Sequence, residues 1–159
     1  RDTKKFCRIR QLAVPRKGVQ READVVALAG RANGLVTTKE ARSIVGRHAW
    51  ERAQADGLWI QVAPGRYRHA ATPLTFDMKV RAGSAWLGGR GALFGATALR
   101  WLGVEVDQPA HAEFLVPRSR RSIPNWMTIH TTTRWDRRDI INHDGVRTCS
   151  ATRAIIVWR

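Results

Sequence analysis

Residues 37–69 read TTKEARSIVGRHAWERAQADGLWIQVAPGRYRH, and the reading of this stretch decides the fold. Thr37 and Glu40 stand three apart, just ahead of Ala41, Ile44 and Val45. A threonine so placed can accept from the backbone N–H three residues on, and the glutamate can reach back to the cap. The pair therefore predicts a capping box and a helix running to Gly46. Gly46 permits a sharp turn. A further helix is predicted from His48 to Ala55, with Ala49, Trp50 and Ala53 on one face. Arg47, His48, Glu51, Arg52 and Gln54 fall elsewhere, and Asp56-Gly57 stops the helix. Leu58–Val62 and Tyr67–His69 flank Pro64-Gly65, which predicts a β-hairpin.

Upstream, Ala23, Val26, Ala27 and Ala29 recur near helical spacing and predict a helix over 20–32. Asn33-Gly34 supplies its left-handed stop, and Leu35-Val36 is a short extended stretch. Helix, helix, tight turn, helix, hairpin is the order of a winged helix-turn-helix. In that fold the third helix enters a major groove roughly 12 Å wide, while the hairpin lies over the backbone. The residues expected to contact DNA are Thr38, Arg42, Arg47, His48, Arg52 and Gln54, with Arg66 and Arg68 on the wing. Trp50 and Trp59 are expected in the core. The same fold also serves as a protein interface, and residues 18–70 carry a net charge of only +3.

A second region is expected over 71–159, beyond a short linker at 70–73. Thr75 can cap a helix through Phe76, Val80 and Leu87. Gly88-Gly89-Arg90-Gly91 looks like a phosphate loop but lacks the Lys-Ser/Thr that follows one, so a turn between two helices is expected. The second of these runs from Ala92 to Leu102. The period then becomes two. Ala112–Pro117 and Trp126–Thr131 are predicted strands, and the link between them carries Arg118, Arg120 and Arg121. These three arginines suit a phosphate clamp or an acidic protein partner, and equally a solvated hairpin tip. Arg134, Arg137 and Arg138 form a second basic cluster, Asp144-Gly145 a tight turn, and Ser150 to Trp158 the start of another helix. Asp77-Met78-Lys79 matches half of a nuclease carboxylate motif, but it lacks an upstream acid and reads as a solvated face. The whole is an α+β chain: a basic arm at 1–17, a winged helix at 18–70, and a small second domain of two helices followed by a short antiparallel sheet, truncated at its C-terminus.

Composition narrows the partners. The 159 residues hold 28 Lys plus Arg against 13 Asp plus Glu, a net charge of +15. Such a balance favours a polyanion: nucleic acid first, an anionic membrane surface or acidic protein second. The charge divides as +6 in the arm, +3 in the winged helix and +6 beyond it. Arginine outnumbers lysine by 23 to 5, as a GC-rich genome would give, but that bias does not explain the shortage of acids. Cys7 and Cys149 are far apart, and no two of the five histidines lie within four residues, so neither a metal site nor any cofactor is expected. Two reduced thiols, no leader and no long apolar run predict a cytoplasmic protein without a membrane span. The missing initiator Met and the abrupt stop at Arg159 predict a piece of a longer chain. No Gly-x-Ser-x-Gly elbow, no paired Cys and His, and no strand-borne pair of acids followed by Lys is present, so no enzyme is expected.

Several strings, in order, resemble the AbiEi-type family of antitoxins and transcriptional regulators of type IV toxin–antitoxin systems. They are Arg31–Thr37, Trp59–Tyr67, Ala96–Gly103, Glu113–Arg121, Met127–His130 and Asp144–Arg147, which together cover about residues 20–157. The family's closing pattern departs here. Arg153 is kept, but Ala151 stands in place of its Pro and Val157 in place of its Asp. The resemblance implies a winged helix that represses its own operon on double-stranded DNA, and a second domain that opposes a nucleotidyltransferase-like toxin. Some relatives carry a very-short-patch-repair-like nuclease domain after this region, so the DNA-targeting half of such a nuclease is the alternative. A basic RNA-binding module is a third reading, supported by charge alone.

Overall fold

The chain begins its described course with a helix that packs by one face only. The computed structural model describes residues 17–117 and 123–156. The expected basic arm, save Lys17, lies outside them, as do Arg118, Arg120 and Arg121 and the last three residues. Helix α1 spans Lys17–Arg31 and buries Val25 and Ala29. It stops where Asn33 and Gly34 turn to positive φ, 55° and 81°. Gly34 is required on two counts: its φ, and the methyl of Met78, which a Cβ at this position would meet. Strand β1 is Val36–Thr37, and α2 follows over Thr38–Val45. The capping box is formed: Thr37 Oγ1 accepts from the Glu40 N–H at 3.1 Å, and the Thr37 N–H donates to Glu40 Oε2 at 2.8 Å. Gly46, at φ 84°, is the whole of the turn into α3, Arg47–Ala55. Strands β2 (Trp59–Ala63) and β3 (Arg66–His69) make the hairpin, and β3 also pairs with β1, giving an antiparallel sheet ordered β1-β3-β2.

The core of this half is small: Val25, Ala29, Val36, Ala41, Trp50 and Trp59. Trp50 is 1 % exposed, with its ring centroid 5.4 Å from Trp59 and 5.2 Å, edge-on, from Tyr67. Both tryptophans are therefore core residues, as expected.

Beyond the hairpin, α4 (Phe76–Leu87) starts under the expected Thr75 cap, whose hydroxyl accepts from the Met78 N–H at 3.2 Å. The next element departs from expectation. Ala92–Leu93 is a strand, β4, and the helix α5 begins only at Gly95 and ends at Trp101. An apolar run so short cannot be assigned by periodicity, and burial decided it: Leu93 is fully buried between two neighbouring strands. The glycine cluster before it thus joins a helix to a strand. Strands β5 (Ala112–Val116), β6 (Met127–Thr131), β7 (Ile140–His143) and β8 (Val146–Cys149) complete a five-stranded sheet, and α6 spans Ala151–Ile156. The sheet order is β6-β5-β4-β8-β7. It is mixed rather than antiparallel. β4 is antiparallel to β5 and β7 to β8, but β5 runs parallel to β6, and β4 to β8. The strands on either side of residues 118–122 are therefore parallel rather than the two arms of the expected hairpin. Alternation along a strand tells which face is buried but says nothing of its neighbour's direction.

The two halves are in direct buried contact across the expected linker. Trp126 Nε1 donates to the Val62 carbonyl at 3.0 Å, and Leu35, Val62 and Ala63 join Met78, Leu87 and Phe114 in the larger core.

Candidate nucleic-acid interface

The turn at Gly46 fixes which side of α3 faces out. With Trp50 buried, His48 and Arg52 lie on the opposite, exposed side. His48 is 96 % exposed at its side chain, and Arg52 has no ion pair or hydrogen bond among the described residues. Ala49, expected on the buried face, is exposed. Gln54 sits four residues beyond Trp50, on its side of the helix, and is half-buried. It is thus less available than the sequence suggests.

Glu51 gathers the basic residues around it. Its carboxylate lies 2.8 Å from Arg47 Nε, 3.3 Å from Arg42 Nη2 and 4.0 Å from His48 Nδ1. The hydrogen bond from Arg47 holds the Glu51 carboxyl below its usual range and raises the Arg47 guanidinium in turn. This acid ties α2 to α3 and partly neutralises the face. The i,i+4 spacing of Arg47 and Glu51 signals their pairing in the sequence, but the approach of Arg42 across the turn has no such signal.

Thr38 opens α2, half-buried, and its backbone N–H donates to the Gly65 carbonyl at 3.3 Å, fastening the helix start to the hairpin turn. Arg66 flanks that turn near Glu40. The Glu40 carboxyl is held low first by the Thr37 hydroxyl and N–H, with the Arg66 charge adding to the effect. Arg68 does not point outward. Its Nη1 donates to the carbonyls of Thr72 at 2.5 Å and of His69 and Ala70 at 3.3 Å, so it clamps the segment leaving the hairpin. That use engages Nη1 with backbone, and no property of the sequence announces it.

Beyond the hairpin, Arg81, Arg100, Arg147 and Arg153 are engaged with the protein itself. Arg81 lies over Trp101 at 5.2 Å and pairs with Asp77 at 2.9 Å, which accounts for the carboxylate that half-matched a nuclease motif. Arg100 lies over Phe76 at 5.5 Å. Arg147 lies over Trp135 at 5.7 Å and donates to the Gly89 carbonyl. Arg153 pairs with Asp139 at 3.5 Å. Arg134, Arg137 and Arg138 are exposed. The sequence reading missed the Glu113–His130 pair, 3.4 Å apart. Glu113 also accepts from the Ala96 N–H at 3.1 Å and so anchors the start of α5. Cys149 is a buried free thiol, pushed up to about 11 by burial and so protonated at neutral pH. Among the described residues no three His, Cys, Asp or Glu side chains assemble as a metal set, and no helix is long and apolar enough to cross a membrane.

These elements define an α+β protein. No protein-family model matches the chain, and no curated protein matches it. Among solved structures it is similar to the RV2827C protein from Mycobacterium tuberculosis, with a TM-score of 0.51 and 18% sequence identity. The likeness covers 76% of this chain and 47% of that one, so the chain spans about half the length of the structure it matches. At that identity the likeness is one of fold.

Proposed function

We propose that the chain is a sequence-specific, non-enzymatic DNA-binding regulator of transcription, and that it acts as the autorepressing antitoxin of a type IV toxin–antitoxin pair. The observation that carries the DNA reading is the outward face of α3. His48 and Arg52 stand exposed on it, Arg52 without a partner among the described residues, directly after a one-residue turn from α2, with the β2–β3 hairpin alongside. A free guanidinium on such a helix suits the paired acceptors on a guanine edge, and the net charge of +15 suits the phosphate backbone. The Arg42–Glu51–Arg47 cluster holds α2 and α3 in register behind that face. The antitoxin reading rests on the AbiEi-type resemblance, and its partner is a nucleotidyltransferase-like toxin.

Binding to duplex DNA should weaken steeply with salt. If about five to seven phosphates are neutralised, log K falls against log salt with a slope of roughly −4 to −6. Arg52→Ala should cost ~1–3 kcal/mol at a selected site and much less on random DNA. No binding at low salt, or a slope near zero, ends the DNA reading. Equal loss on both DNAs reduces Arg52 to a phosphate contact. Nicking of plasmid in Mg²⁺ would replace the regulator with the nuclease alternative. Failure to rescue cells expressing a neighbouring nucleotidyltransferase would remove the antitoxin role and leave DNA binding standing.

A further inference from the structure

The crossing from β6 to β7 carries arginines that the protein does not use for its own packing. In a sheet ordered β6-β5-β4-β8-β7 these two strands are opposite edges, so residues 132–139 pass across one face. Register fixes which face. Thr148 pairs with Leu93 and Leu93 with Phe114, whose ring a Cβ at Gly83 of α4 would meet. Arg147, beside Thr148, therefore points away from α4, and it lies against Trp135 of the crossing. The first half joins the other side, where Val62 shares a core with Met78 and Leu87 of α4.

Two arginines hold the crossing in place. Arg147 packs on Trp135 and donates to the Gly89 carbonyl, which brings Arg90 alongside. Arg153 Nη2 donates to the Arg134 carbonyl at 3.2 Å, while the same guanidinium pairs with Asp139 at 3.5 Å. Thr132 Oγ1 accepts from the Arg134 N–H at 3.1 Å, and Asp136 Oδ1 from the Arg138 N–H at 2.9 Å. The backbone is thus fastened. The side chains of Arg134, Arg137 and Arg138 are exposed and have no partner among the described residues.

We propose that Arg134, Arg137 and Arg138, with Arg90, form a surface that binds the phosphate backbone of duplex DNA without reading its bases, apart from the α3 face. The proposal rests on the DNA reading above. Counted with Arg147 and Arg153, the surface holds six arginines against Asp136 and Asp139, a net charge of +4, which exceeds the +3 of residues 18–70. Free planar guanidiniums pair bidentately with phosphate. An acidic protein fits less well. The exposed side chains of residues 131–138 are three arginines, two threonines and an aspartate, and Trp135 is half-buried. These side chains offer no exposed apolar or aromatic anchor of the kind on which protein interfaces centre, whereas arginine and threonine are common phosphate contacts.

The test measures duplex binding by the full chain across salt, on a selected site and on random sequence. Arg134→Gln, Arg137→Gln and Arg138→Gln together should weaken both by the same factor. They should flatten the slope of log K against log salt by about three and leave the sequence preference unchanged. Lysine at the same three positions should keep the slope, because counterion release follows charge. All variants should unfold at the parent temperature, since these side chains touch nothing else. An unchanged slope and affinity in the glutamine variant overturns the proposal and leaves the α3 reading standing. An Arg52→Ala variant with unaltered preference, beside a flattened slope in the glutamine variant, does the reverse. A changed preference in the glutamine variant also overturns the proposal, because the surface would then read bases. So does a slope lost equally in the lysine variant, which would make the arginines structural. Loss of poly-glutamate binding with DNA affinity intact would assign the surface to an acidic protein instead.

Discussion

The two halves of the molecule pair their arginines with different partners. In the first half, Arg42 and Arg47 meet a single glutamate on the surface, Arg68 clamps the segment leaving the hairpin, and Arg52 is left free. In the sheet half, Arg81, Arg100 and Arg147 lie over Trp101, Phe76 and Trp135, and Arg153 pairs with Asp139. The first half has the lower net charge; the second has more arginines, of which Arg81, Arg100, Arg147 and Arg153 act as internal staples while Arg134, Arg137 and Arg138 stay exposed. Net charge therefore predicts that a polyanion is attracted, but not where it docks. The halves differ in their cores too. Six buried residues hold the first together, whereas the second has a five-stranded sheet with helices packed on it.

That contrast can be broken most forcefully at Trp50, on which the small core depends. Trp50→Ala should cost ~3–5 kcal/mol in urea or thermal unfolding. Unchanged folding with only DNA binding lost would make Trp50 a contact residue instead. Two helical glycines give the next comparison. In α4, a Cβ at Gly83 would lie 2.5 Å from Phe114 Cζ and 2.7 Å from Met127 Cε, so Gly83→Ala should cost about 1–3 kcal/mol. A neutral result would show that the sheet half has slack that the geometry denies.

Trp126 sharpens the question of how far the halves are coupled. Trp126→Phe removes the bond to the Val62 carbonyl and leaves that oxygen buried, at a cost of about 1–2 kcal/mol. Calorimetry should show one transition in the parent chain. Two transitions in the parent would mean that the shared contact is too weak to couple them.

In α1, the space around Gly30 is open, so Gly30→Ala should stabilise by about 0.5–1 kcal/mol. A loss of stability on chemical denaturation would place an unseen neighbour against that face.

Acid should produce the smallest effect. The Glu40 carboxyl is held low by Thr37, so its contribution is complete above its ordinary value of 4.5 and is lost as pH falls through the lower folded value. Glu40 is largely exposed, so the loss should be only a few tenths of a kcal/mol. Glu40→Gln, which keeps the capping geometry, should flatten that part of the acid limb. An unaltered limb would assign the acid sensitivity to other carboxyls.

The sequence by itself determined the local features: the capping box at Thr37 and Glu40, the stop at Asn33-Gly34, the turn at Gly46, the hairpin around Pro64-Gly65, the Thr75 cap, and the burial of Trp50 and Trp59. Each rests on contacts within a few residues or on a periodicity that one helix or strand displays alone. Tertiary structure decided the rest. Leu93 became a strand because a sheet surrounds it, and β5 and β6 became parallel because alternation carries no direction. Arg68 turned inward because the carbonyls of its own exit loop stand within reach. Arg52 stayed free and Arg42 did not, because Glu51 comes near the second across a turn whose geometry only the packed helices fix. Partners brought together by packing leave no pattern in the order of residues, whereas caps, turns and single-element periods do.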